Sequence, residues 1–114
     1  MKRFASNPRN LAISLLRRSV CAVQVGAVIL DNDGVISIGW NSSGPSGMGE
    51  HAEAAAIRRA NRKRLPGASV FIAGRRKKSI FSRPCPDCEH LLRVNRVRRV
   101  YYTTGNGLWR VEVL

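Results

Sequence analysis

Two short segments constrain this 114-residue chain more than anything else in it: His51-Ala52-Glu53 and Pro84-Cys85-Pro86-Asp87-Cys88. Each follows a predicted strand and loop, and each opens a predicted helix. One imidazole and two thiolates make three zinc ligands and leave a fourth tetrahedral position for water. Cys85 and Cys88 sit three apart, so the first turn of a helix brings both sulfurs to one side. A helix N-terminus also favours thiolate over thiol, through its dipole and its free N–H groups. Pro86 suits the first helical position because it has no N–H to waste. Glu53 stands close to such a metal without having to be a ligand. There it can take a proton from water and pass it on as a general acid/base.

Taken alone, Cys-x-x-Cys fits a structural zinc knuckle or a redox pair, and His-x-Glu fits almost anything. Together, and in this order, they point to a catalytic Zn2+ centre with His51, Cys85 and Cys88 as ligands and Glu53 as the catalytic acid/base. A closed structural site needs one more ligand, and only Cys21 and His90 remain to supply it. Cys21 lies in an apolar context and reads as a buried structural cysteine. His90 reads as an ordinary helix-surface residue.

The length fits one domain over residues 1–114, and a hydrophobic fraction of 44% suffices for a single core. No apolar run approaches the ~18 residues of a membrane span. The basic, polar N-terminus lacks the apolar stretch of a signal peptide, so a cytoplasmic protein is expected. Three cysteines, two of them close neighbours, argue against a disulfide scaffold. Twenty Lys+Arg against seven Asp+Glu give a net charge of +13, a field that attracts polyanions.

Periodicity predicts a helix over Leu11–Arg18, a hairpin of strands Val23–Leu30 and Val35–Trp40 around Asp31-Asn32-Asp33-Gly34, and a loop over Asn41–Gly49. A helix over Glu53–Asn61, a strand over Ala68–Ala73 and a basic loop over Gly74–Ser82 follow. Helix Pro86–Val94 and strand Val97–Thr103 come next, and Gly105-Asn106-Gly107 turns into a last strand, Leu108–Val113. Strands separated by helical stretches imply parallel neighbours with helices covering the sheet. The last two strands, joined by a few turn residues, should pair antiparallel at the sheet edge.

From Val25 to about Thr104 the chain resembles the cytidine and deoxycytidylate deaminase superfamily. The resemblance rests on the strand Gly26-Ala27-Val28-Ile29, on Gly39-Trp40-Asn41 with its Pro45-Ser46-Gly47 loop, on His51-Ala52-Glu53-Ala54, and on Pro84-Cys85-Pro86-Asp87-Cys88. It implies an α/β fold: a three-layer α/β/α arrangement with a five-stranded mixed sheet whose last strand is antiparallel. It also implies a sugar contact from Asn41 and base contacts near Ala52 and Pro84. His51, where the free-nucleoside branch often carries cysteine, points to nucleotide and polynucleotide branches. The antiparallel last strand is instead the arrangement of the free-nucleoside and blasticidin-type enzymes.

Basic residues cluster at Arg58, Arg59, Arg62, Lys63 and Arg64, at Arg75-Arg76-Lys77-Lys78, and at Arg96, Arg98 and Arg99. Such a patch suits a phosphate backbone, with aromatic side chains stacking exposed bases. Phe81, Tyr101, Tyr102 and Trp109 are the aromatic candidates, although packing in the core is the commoner fate of such rings, and Arg83 is the basic residue nearest the cysteine segment. Arg83, Tyr101 and Tyr102 are therefore expected substrate contacts. The strand Val97–Tyr102 resembles its counterpart in AID/APOBEC-like polynucleotide-editing deaminases. The favoured reading is deamination of cytosine to uracil on single-stranded DNA or RNA. Deamination of cytidine, deoxycytidine or dCMP is the first alternative, and a non-catalytic zinc-stabilised nucleic-acid-binding module the second. An exposed last strand is a possible interface of a homo-oligomer.

Overall fold

The computed structural model describes residues 7–43, 49–75, 83–104 and 108–114. Asn7 opens the first helix by accepting the Asn10 N–H on its side chain (3.1 Å), with Pro8 at the first helical position. Helix α1 (Pro8–Ser14) tightens into a 3-10 turn over Leu15–Arg18, where a single α-helix is expected from the sequence. Strands β1 (Gln24–Asp31) and β2 (Gly34–Trp40) form the anticipated hairpin. In its turn the Asp31 carboxylate accepts the Asp33 N–H at 2.8 Å. Gly34 takes a φ of 122°, which residues with a Cβ rarely adopt.

Helix α2 (Ala52–Arg59), a 3-10 turn at Arg62–Arg64, strand β3 (Ser69–Arg75), helix α3 (Pro86–Val94), and strands β4 (Arg99–Thr103) and β5 (Trp109–Val113) complete the chain. The sheet runs β2-β1-β3-β4-β5. The expectation of parallel neighbours holds for β3 and β4, which α3 connects, and fails for β2 and β3. Both run opposite to β1, so they share a direction, but the hairpin has already placed β1 between them. As expected, β4 and β5 pair antiparallel.

Buried side chains alternate across the sheet, giving three α/β/α layers. Ala27, Ile29, Val70, Ile72, Val100 and Tyr102 pack with Ala56, Ile57 and Leu92 of α2 and α3. Val28, Phe71 and Ala73 pack with Ala12, Leu15 and Leu16 on the other face. No helix among the described residues is long and apolar enough to cross a membrane.

Two details of β2 fix the position of α2. The buried Ser37 hydroxyl donates to the Ala56 carbonyl at 2.6 Å. Gly39 lets the helix backbone come so close that a Cβ there would lie 2.5 Å from both the Ala52 carbonyl oxygen and the Ala56 nitrogen. The helix therefore starts at one end of the sheet, on bare strand backbone.

Candidate metal centre and active site

His51 and Cys85 occupy the N-cap positions of α2 and α3, where serine, threonine, aspartate and asparagine are the usual residues. Neither side chain makes a capping hydrogen bond. Both point instead at one spot between the helix starts. His51 Nδ1 lies 3.2 Å from Cys88 Sγ and 3.5 Å from Cys85 Sγ, and all three donor atoms fall within 4.8 Å of one another. Zn–N and Zn–S bonds of ordinary length at tetrahedral angles put nitrogen and sulfur about 3.6 Å apart. The three donors fit that ion, and among the described residues theirs is the one group of this kind. Neither Cys21 nor His90 joins it.

The electrostatics suit a cation. Burial, the nearby Glu53 carboxylate and Cys85 all push the Cys88 thiol up. A thiolate there needs a compensating positive charge. Glu53 lies in the first turn of α2 and is 5% exposed, deep enough that burial raises its carboxyl pKa. The segment entering α2 is held from both sides. Ser42 and Glu50 form an antiparallel bridge, and Arg58 reaches back along the helix to a bidentate ion pair with Glu50 (2.8 and 2.9 Å). A cleft of about 430 Å³ opens beside the donors, lined by Glu50, His51, Ala54, Asp87, Cys88 and Leu91 among others.

Other sequence-predicted residues fall in less uniform places. Ala52 and Pro84 are buried next to the two N-caps. Asn41 is engaged at both ends of its amide: Oδ1 accepts the Val25 N–H (2.9 Å) and Nδ2 donates to the Val23 carbonyl (2.8 Å). It thereby clamps the start of β1 to the end of β2. Tyr102 and Tyr101 correct the expectation of exposed stacking rings. Tyr102 is 3% exposed in the core, its hydroxyl donating to Glu112 at 2.8 Å. Tyr101 points to the opposite face, stacked on Phe71 at 4.2 Å and 1°. It lines a separate cleft of about 600 Å³ with Asp31, Ser69 and Arg99, remote from the metal donors. Adjacent strand residues face opposite sides, so both could never have lined one pocket.

Arg83 is exposed but committed, forming a bidentate pair with Glu112 (2.9 and 3.1 Å) and a longer contact to Glu89 (3.7 Å). Phe81 lies outside the described residues, as do Arg76, Lys77 and Lys78. Trp109 is half-buried and tilted against Phe71. Cys21 is half-buried and free, not the fully buried cysteine its apolar context suggested, and Val20 beside it is exposed. His90 is exposed on α3, as its position implied. Sequence reasoning missed the grip of Ser37 and Gly39 on α2, although the glycine at a strand end before the active loop was a signal for close backbone approach.

The family model of the cytidine and deoxycytidylate deaminase zinc-binding region matches residues 6–104. The chain belongs to this family. It is accordingly a zinc-binding deaminase, a hydrolase of the cytidine/deoxycytidylate type. A search of curated protein sequences gave no match. Among solved structures, cytidine deaminase from Burkholderia pseudomallei aligns with a TM-score of 0.76 at 24% identity, over 99% of this chain and 93% of that one. The dCMP deaminase of cyanophage S-TIM5 aligns with a TM-score of 0.67 at 25% identity, over 91% and 86%. Cytidine deaminase from Mycobacterium leprae gives 0.68 at 21% identity, over 95% and 91%.

Proposed function

We propose that this deaminase hydrolyses the exocyclic amine of cytosine in a free nucleoside or nucleotide, leaving uracil and releasing ammonia. The observation that carries the reading is the buried Glu53 carboxyl beside the donor set of His51, Cys85 and Cys88. In this reading those three residues hold Zn2+, which when bound supplies water activation near neutral pH. Glu53 takes a proton from the attacking water and delivers it to ring nitrogen N3. It then passes a second proton to the amino group as the C4–N bond breaks. One water is consumed and one ammonia leaves, and the carboxyl ends as it began. The Ala52 N–H, in the first turn of α2 where it has no partner within the helix, donates to the base, and the Pro84 carbonyl, just before the N-cap of α3, accepts from it. Asn41 holds the strand ends that frame the pocket and offers its second Nδ2–H to the sugar.

Support for a small substrate comes from the similar cytidine and dCMP deaminases and from Tyr101, Tyr102 and Arg83, each engaged within the fold. A single-stranded polynucleotide remains the second reading, favoured by the net charge of +13 and the exposed Arg58, Arg59, Arg62 and Lys63. Deamination of cytidine, dCMP, single-stranded DNA and single-stranded RNA, compared at low and moderate salt, separates them. Efficient turnover of cytidine or dCMP with oligonucleotides left intact supports the first reading. Oligonucleotide turnover that collapses as salt rises, with the small substrates untouched, overturns it. Glu53→Gln should lose about 10²–10⁴-fold in turnover while zinc content stays at the wild-type level. A variant that keeps its turnover would remove Glu53 from the chemistry.

A further inference from the structure

We propose that Glu112, on the last strand, is a positioning residue for the deaminase site, acting through Arg83 on the segment that carries the Pro84 carbonyl and the Cys85 sulfur. The inference rests on the reading above, in which Pro84 meets the base and Cys85 holds the metal. Both donor-bearing helix starts give up an ordinary cap, because neither His51 nor Cys85 makes a capping hydrogen bond. Other contacts must therefore fix where each helix begins. For α2 the main chain does so, through the Ser42–Glu50 bridge one residue before His51.

The entry to α3 has no such bridge. Pro84 and Pro86 have no N–H to donate. Among the described residues, the one main-chain bond made by residues 83–85 is the Cys85 carbonyl accepting from Glu89 at 2.8 Å, inside α3 itself. Pro84 is buried, but apolar packing is non-directional and does not set the orientation of the segment.

The Arg83 side chain is what joins this segment to the sheet. Its guanidinium forms a fork with the Glu112 carboxylate (2.9 and 3.1 Å), and two parallel bonds fix orientation as well as distance. Its longer contact, to Glu89 at 3.7 Å, ends on α3 and ties the helix to nothing else. Glu112 is itself well anchored. It lies opposite Val100 in the β4–β5 pairing, and the hydroxyl of the buried Tyr102 donates to its Oε2 at 2.8 Å. A continuous path thus runs from the core through Tyr102, Glu112 and Arg83 to the start of α3.

An exposed ion pair contributes little to stability as such, and the fold contains a second fork that separates stability from position. Arg64 and Asp31 pair at 2.8 and 3.1 Å and are less exposed than Arg83 and Glu112. They join the Arg62–Arg64 turn to the first hairpin, remote from the metal donors. If Arg83 and Glu112 served stability alone, breaking the Arg64–Asp31 pair would harm the protein at least as much.

The test compares Glu112→Gln, Arg83→Met, their double variant and Asp31→Asn in the zinc-loaded full chain. Two quantities are read: the rate at which an excess of chromogenic chelator extracts zinc, and kcat/KM for cytidine. Glu112→Gln still accepts from Tyr102 but loses the charge that orients Arg83. It and Arg83→Met should each speed zinc release about tenfold and lower kcat/KM about tenfold. The double variant should do no more than either single one, because the two residues form one link. Asp31→Asn should melt lower and leave both quantities at their wild-type values. Zinc release from Glu112→Gln at the wild-type rate overturns the proposal. So do single effects that add in the double variant, or an Asp31→Asn protein affected as strongly. A wild type that turns over neither cytidine nor dCMP refutes the function proposed above, and zinc release alone then decides the role of Glu112.

Discussion

Replacing Gly39 with alanine tests whether the catalytic helix truly rests on bare strand backbone. The new methyl would sit 2.5 Å from the Ala52 carbonyl oxygen and from the Ala56 nitrogen, and 3.0 Å from the Ala56 Cα. Ordinary contact begins near 3.4 Å, so the helix must retreat by about 0.9 Å. Every atom in the way is main chain, which cannot swing aside as a side-chain tip can. Overpacking of this kind costs about 1–3 kcal/mol, partly by stretching the Ser37–Ala56 bond. For a domain of this size the melting temperature should fall by about 4–12 °C. The retreat also displaces His51 and Glu53, which begin the helix. A misplacement near 1 Å costs about 10²-fold in rate. Paired measurements of denaturant unfolding and of cytidine or dCMP turnover read both effects. A Gly39→Ala protein within about 0.5 kcal/mol of wild type and equally active would refute the direct packing of α2 on β2.

Three further outcomes are expected. Cys85→Ser or Cys88→Ser should bind no zinc at stoichiometric concentration and should melt lower than wild type, because metal binding and folding are coupled; retained zinc by metal analysis would contradict the ligand set. Arg96, at φ 61° after α3, holds a left-handed position in which the Val97 N–H closes on the Leu92 carbonyl at 3.0 Å. Arg96→Gly should therefore gain about 0.5 kcal/mol net, and Arg96→Ala should not, as chemical unfolding will show. Arg64 holds the Asp31 carboxyl below its ordinary range, and Arg83 with Tyr102 does the same for Glu112. Their folded values lie below the unfolded ones, so this stabilisation is complete above the ordinary carboxylate range and is lost as the pH falls through the folded values. The urea midpoint should fall with acid, less steeply in Asp31→Asn and at high salt.

The donor set was legible because its signal is local. Cys-x-x-Cys behind a proline fixes two sulfurs on one helical turn, and a histidine opening another helix supplies the third donor. The hairpin was legible from Asp-Asn-Asp-Gly between two β-branched runs, and α3 from its proline start. What escaped the sequence was long-range. The place of β1 between β2 and β3 rests on its pairing with β3, more than forty residues on, and no local pattern encodes that. Tyr101 and Tyr102 stand next to each other in the sequence, but a strand sends neighbours to opposite faces, here one to the core and one to Phe71. Arg83 looked like a free cation until β5, nearly thirty residues on, brought Glu112 beside it.

The three donors also decide how the helices on one face of the sheet are tied together. His51 opens α2, which follows the β1–β2 hairpin, and the two sulfurs sit at the start of α3, the crossover between the parallel strands β3 and β4. An ion held there would staple the hairpin's helix to the crossover, so that its loss would loosen the seam between α2 and α3 before it disturbed the strands.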